Sequence, residues 1–408
     1  MGTRSARRFL LQILTTLPYI TLILLPGCKK EGGGNTGTGG TKPTLSISPV
    51  TRDEGTGGNT AFAFDLSLSN SFGQAVTVEV STTDGTALSS EDYAAVSKQV
   101  VTIPAGQTKA VITVNVVGDE WKESTEDFFV LLDNPVNCTL SGTAAKGYIT
   151  NDDTRILIND KGTNVSPLSY PGYSLVWADE FNGSTMDMGS WNYNVGDGCP
   201  NCGWGNNELE YYTAGENLYL QDGKMIIEAR SESKGGKNYT STRLTTQNKK
   251  TFKFGRIDIR AKLPRGRGIW PAFWMLGNNI SSVSWPKCGE MDIMELLGHE
   301  PAKVYSTVHY GPGPGSIQIS RSKTAAVPYS DDFHLYSLIW ETDRMQFMVD
   351  NEVISDVRKA DLGSNNYPFN EPFFLLINVA VGGNWPGSPD ATTRLPQWMM
   401  VDYVRVFQ

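Results

Sequence analysis

Glu290, Asp292 and Glu295 fall within the run Glu290-Met291-Asp292-Ile293-Met294-Glu295, whose other members are apolar. An unpaired buried carboxylate is costly, so an apolar strand normally keeps such groups apart. Carboxyls that share one face can divide nucleophilic attack and proton transfer between them. A solvated edge strand or a metal-binding loop of acids are the plainer explanations, and Met291, Ile293, Met294 and Leu296 argue against a solvated face. In a regular strand, residues 290 and 292 share a face and 295 points to the other. One extra residue between Asp292 and Glu295 reverses that phase. A β-bulge is therefore expected there, bringing all three acids to one side.

The elements that must hold this strand are short and β-rich. Within 172–408, the stretches 224–230, 252–262, 335–340, 345–350, 373–379 and 400–407 are strand-like, and no long helical period is present. In 252–262 the apolar phase slips at Gly255-Arg256, which predicts a bulge at Gly255. Residues 43–153 alternate in the same way at 61–64, 76–80, 111–116 and 128–132, with turns such as Asp84-Gly85 between them. Short strands at this spacing predict a β-sandwich. The chain is thus expected to be all-β, with sandwiches at 43–153 and 172–408. A linker at 154–171, punctuated by Gly162, Pro167 and Pro171, joins them.

A net charge of −8 over 408 residues, with no basic run beyond the first residues, argues against a nucleic-acid partner. Arg4, Arg7 and Arg8 precede an apolar stretch at 9–25 broken by Gln12 and Pro18, which reads as an export signal over 1–27 and is short for a membrane span. Leu25-Pro26-Gly27-Cys28 resembles a bacterial lipobox. That resemblance implies lipidation of Cys28 and a chain tethered to the cell envelope, periplasmic or at the cell surface. Residues 28–42, rich in Gly and Thr, are expected to be a flexible tether. The remaining cysteines, Cys138, Cys199, Cys202 and Cys288, can oxidise in an exported protein. Cys199 and Cys202 suit a closed loop, a redox pair or a metal site, and pairing of either with Cys288 is equally open.

Thr83-Asp84-Gly85-Thr86-Ala87, Glu91-Asp92-Tyr93, Glu123-Ser124-Thr125-Glu126-Asp127-Phe128 and Ile149-Thr150-Asn151-Asp152-Asp153 resemble the Calx-β domain pattern. The resemblance implies Ca²⁺ binding by acidic loops at one end of the first sandwich. A solvated acidic rim is the alternative, and the domain reads as a spacer or adhesion module. In the second sandwich, Glu290–Glu295 spells the E-x-D-x-x-E signature of family 16 glycoside hydrolases. Trp177-Ala178-Asp179-Glu180-Phe181, the 203–212 run, Trp270-Pro271-Ala272-Phe273-Trp274-Met275, His309-Tyr310-Gly311, the 378–385 run and Val401-Asp402-Tyr403-Val404-Arg405-Val406 follow in the family's order. The variants are similar to laminarinase-type endo-β-1,3-glucanases.

This resemblance implies a β-jelly roll of the concanavalin A type with a β-glucan cleft on its concave sheet, acting by a retaining mechanism without a catalytic cofactor. It assigns Glu290 as nucleophile, Glu295 as general acid/base and Asp292 as the group that tunes them. Asn207, Arg256 and His309 are expected hydroxyl partners, and Trp270, Trp274, Trp285 and Trp385 cleft residues, since a flat ring packs on the C–H face of a sugar. Glu180, Gly223 and Asp402 match positions that hold a structural Ca²⁺ in related enzymes. A monomer is expected. The competing readings are a hydrolase of sulfated galactan (agarase, carrageenase or porphyranase type), which needs basic cleft residues, and a non-catalytic carbohydrate-binding protein, against which the intact acid trio argues.

Overall fold

The computed structural model describes residues 41–408, so the expected export signal at 1–27, Cys28 and the expected tether up to residue 40 lie outside the described residues. The first sandwich packs a 4-stranded sheet on a 5-stranded one. In the strand Gly58–Leu68, Phe62, Phe64 and Leu66 point inward while Ala61, Ala63 and Asp65 are exposed, as period-two alternation requires. Phe128 closes this core, with Tyr93 stacked on it at 4.5 Å.

The second sandwich is the expected jelly roll. Its inner sheet has 7 strands, in spatial order Asn192–Tyr193, Arg243–Thr245, Phe373–Val381, Ile269–Gly277, Glu290–Leu296, Lys303–Tyr310 and Ile317–Thr324. An 11-stranded sheet backs it, with Gly255–Lys262 lying between His334–Glu341 and Gln397–Phe407. Met291, Ile293, Met294 and Leu296 enter the core between the sheets, against residues such as Ile257, Leu338 and Val404. Four such side chains, at roughly 1.5–3 kcal/mol each, outweigh the cost of presenting acids on the strand's other face.

The bulge expected in this acid-bearing strand is present. Pairing to Lys303–Tyr310 steps from Asp292↔Thr307 to Glu295↔Tyr305. Pairing to Ile269–Gly277 steps from Trp274↔Asp292 to Phe273↔Met294, so Ile293 has no partner of its own on that side. Gly289 leads into the strand at φ 80°, where a Cβ would stand 2.7 Å from Pro368 Cγ; only glycine fits without displacement. The bulge expected at Gly255 is not there. Gly255 begins its strand, and the register shift falls between Arg260 and Ala261.

The linker is laid along the outer sheet. Ile156 is buried with Ile226, Phe333 and Met400, and Asp160 pairs with Arg260 at 2.5 Å. The sandwiches also meet directly, through Lys122 Nζ to Glu228 Oε1 at 2.7 Å and Ser124 Oγ donating to the Leu395 carbonyl at 3.0 Å.

Candidate active site

All three acids face one cleft of about 890 Å³ on the inner sheet. Each has its own partner, supplied by a neighbouring strand or loop. Glu290 Oε2 accepts the indole N–H of Trp285. Glu295 accepts the Trp270 indole N–H at 3.1 Å on Oε1 and the Thr307 hydroxyl at 3.4 Å on Oε2. Thr307 is itself paired with the Ser320 hydroxyl at 3.0 Å. Asp292 Oδ2 lies 3.3 Å from His309 Nε2 but makes no hydrogen bond, so that contact is an ion-pair distance without alignment. The other His309 nitrogen, Nδ1, is 3.1 Å from Ser316 Oγ.

Burial sets the protonation of this trio. Desolvation and then the Asp292 charge push Glu290 up to about 8, and desolvation pushes Asp292 up to about 8. Glu295 is raised well above its ordinary value, again by desolvation first and Asp292 second. Three carboxyls this close do not all ionise at neutral pH. His309, the Trp285 N–H and Arg243 favour the Glu290 anion; at Glu295, His309 and the Trp270 N–H act the same way, but the charges of both Asp292 and Glu290 oppose them, so Glu290 holds the charge and Glu295 keeps the proton. Trp285→Phe keeps the ring and removes the N–H. It is expected to move the acidic limb of the kcat/KM profile upward by about one pH unit, after discount for the exposure of Trp285.

The expected aromatic residues all line the cleft. Trp285 and Trp385 are 43% and 40% exposed, open faces at its mouth. Trp385 meets Trp270 edge-on at 5.6 Å and Tyr305 at 4.9 Å. Trp274 donates its indole N–H to Asn378 Oδ1 at 2.8 Å. Sequence reasoning missed Arg243. Its guanidinium lies 4.5 Å from the Trp204 ring centre and 4.7 Å from that of Trp274, and its Nε has no hydrogen-bond partner. A lone arginine at the start of Arg243-Leu244-Thr245, with Leu244 in the core, was the available signal.

Arg256 is corrected. It lies on the outer sheet, because Ile257 and Ile259 take the core face of its strand. There it binds Asp258 at 2.7 Å and Ser337 at 3.1 Å beneath Tyr170; it cannot reach a substrate hydroxyl in the cleft. Asn207 sits exposed at the rim and ties its loop to Asn384 by a 2.8 Å hydrogen bond, while its neighbours Asn206 and Glu208 line the cleft. His309 lines the cleft as the partner of Asp292. Cys199 and Cys202 form a disulfide, and Cys288 is a free, fully buried packing residue.

Glu180 and Asp402 do not fit a calcium cage as arranged. Both Glu180 oxygens accept from Arg405, at 2.7 and 2.9 Å. Asp402 is held by Arg260 at 2.7 Å and Lys224 at 2.6 Å. Gly223 turns at φ 71° toward Asn182. Among the described residues, no cluster of acids unites Glu180 with Asp402. In the first sandwich, by contrast, Glu54 with Asp152 and Asp153, and Asp92 with Glu123 and Glu126, converge within 4.8 Å.

Comparison with known proteins agrees with this geometry. The model of "Glycosyl hydrolases family 16" matches residues 201–405, and that of the Calx-beta domain matches residues 49–162. The glucan endo-1,3-beta-glucosidase A1 of Niallia circulans is 40% identical over 60% of this chain, which spans 39% of that protein's length. The beta-glucanase of Rhodothermus marinus is 41% identical over 58% of this chain and 86% of its own. The laminarinase catalytic domain of Thermotoga maritima superposes with a TM-score of 0.55 at 47% identity, covering 58% of this chain and 98% of that one.

Proposed function

The chain belongs to glycosyl hydrolases family 16, and from that premise we propose that it cleaves β-1,3-glucan internally, by double displacement. The observation that carries this reading is the placement of two buried acids on one cleft face: Glu290 with His309, the Trp285 N–H and Arg243 favouring its anion, and Glu295 with burial and the charges of Asp292 and Glu290 favouring its proton. Glu290 attacks the anomeric carbon while Glu295 gives its proton to the departing glycosidic oxygen. The C–O bond breaks and a glycosyl ester of Glu290 forms. Glu295, now a carboxylate, takes a proton from water, which attacks the same carbon and releases Glu290. Asp292, when ionised, raises the proton affinity of Glu295. Reducing-sugar release from laminarin, lichenan, agarose and carrageenan in parallel tests the assignment. Release from laminarin is expected, with lichenan cut if mixed linkages are accepted. Release from agarose or carrageenan alone contradicts it.

The acids of the first sandwich support calcium binding. Glu54, Asp152 and Asp153 would hold one ion and Asp92, Glu123 and Glu126 another, each supplying hard oxygen ligands that neutralise mutual repulsion. Burial, then the charges of nearby acids, pushes Glu54 and Glu126 up to about 8 and Glu123 up to about 7. Folded pKa values above the unfolded ones mean that the native state binds the extra protons. This contribution to stability is full below about 4.5 and is lost as pH rises through about 8. Melting curves of the metal-free protein are therefore expected to fall across that window. Millimolar Ca²⁺ should raise the melting temperature most at the alkaline end, and Glu123→Gln/Glu126→Gln should blunt that response.

Export and tethering through Cys28 complete the proposal, supported by the Leu25-Pro26-Gly27-Cys28 pattern. They place a monomeric enzyme at the envelope. Metabolic labelling with a fatty acid, lost on Cys28→Ala, is the expected result.

A further inference from the structure

The cleft crosses the strands of the inner sheet, and the acids stand on the fifth of its 7 strands. To one side lie four strands and the Trp204–Arg243–Trp274 stack. To the other remain only Lys303–Tyr310 and the edge strand Ile317–Thr324. Past that edge, between Ile317–Thr324 and Glu352–Arg358 of the outer sheet, an open trough of about 730 Å³ begins. Gln318 and Ser320 line both the cleft and the trough, so the two adjoin across the edge strand. Its volume lies in the range of small-ligand sites, roughly 300–1,000 Å³.

The lining is polar. Arg321 donates through Nη1 only to the adjacent Ser320 carbonyl, at 2.8 Å, and makes no ion pair among the described residues. Asp361 accepts the Arg358 backbone N–H at 2.7 Å through Oδ2. Asp356 is engaged by Arg344 at 2.7 Å. An edge strand also leaves alternate backbone N–H and C=O groups without a sheet partner. Hydrogen-bond donors and acceptors without an excess of positive charge suit a neutral polyhydroxylated chain, and Asp356 and Asp361 would repel a sulfated one.

We propose that the glucan segment leaving the acids over Gln318 and Ser320 continues into this trough, where Arg321 and Asp361 bind its hydroxyls as a subsite beyond the cleft. The proposal rests on the glucanase reading. It is tested by kcat/KM on β-1,3-gluco-oligosaccharides of increasing length, using the full chain, Arg321→Ala and Arg321→Ala/Asp361→Asn. The native chain is expected to keep gaining kcat/KM with length after the cleft is filled. Both variants should match it on the shortest oligosaccharides cleaved and fall about fivefold below it on the longest. Equal length dependence in all three sinks the trough alone, as does a loss that is the same at every length. Failure of the native chain to cleave any of them sinks the glucanase reading and the trough with it.

Discussion

Glu290→Gln is expected to lower kcat on laminarin-type glucan on the order of 10⁴-fold or more, while oligosaccharide binding survives. The amide matches the carboxylate in shape and still offers an oxygen to the Trp285 N–H, so the cleft keeps its form. What it lacks is a nucleophile able to form the glycosyl ester, and no neighbour replaces it. Asp292 is 3% exposed, two positions along the strand and beside His309, and Glu295 is committed to Trp270 and Thr307. Calorimetric titration of the variant with a laminarin-type oligosaccharide, beside its rate of reducing-sugar release, separates the two effects. A carbohydrate-binding protein without chemistry would show no activity to lose in the native chain. Full activity in the variant would remove Glu290 from its role.

The second large effect falls on proton transfer. Glu295→Gln is expected to lower kcat on glucan by about 10²–10⁴-fold, the usual range for a positioned general acid. Aryl glucosides whose phenolate leaves without a proton should be spared in the first step and stall at the glycosyl-enzyme. The sign of the pH dependence follows from the same group. The active form carries the Glu295 proton, and burial and then the Asp292 charge raise its pKa, so native activity falls on the alkaline side as that proton is lost. Asp292→Asn removes the like charge and is expected to shift this limb to lower pH. A kcat/KM profile on glucan, whose departing oxygen needs the proton, measured for both variants checks the assignment, because an acid with only a structural role would leave the alkaline limb in place.

Much of the site was legible because it is written locally. Glu290, Asp292 and Glu295 sit on one strand, and if they act together the period-two rule requires an extra residue between the last two; the structure puts it at Ile293. Trp285 sits close to Glu290 along the chain and donates to it, and Trp270, which donates to Glu295, stands in a motif of its own. Arg243, Thr307 and Ser320 were not legible, because their place depends on which strands become neighbours. Thr307 reaches Glu295 only through the register of Lys303–Tyr310 against the bulged strand. Arg256 failed for the opposite reason: a polar residue at the phase slip of 252–262 was taken for a cleft group, whereas Ile257 and Ile259 turn it to the outer surface. The fold survived these errors because its evidence is distributed. Alternation in many strands and turns specifies two sandwiches even when one bulge, expected at Gly255, lies instead between Arg260 and Ala261.

The central claim is that Glu290 attacks the anomeric carbon and Glu295 assists from the same cleft, and the stereochemistry of the first product tests it most directly. Proton NMR during the first minutes of hydrolysis of a β-1,3-glucan should show the β-anomer of the new reducing end appearing first, with the α-anomer growing in later by mutarotation. The α-anomer appearing first would mean a single inverting displacement by water, and would contradict the covalent role of Glu290.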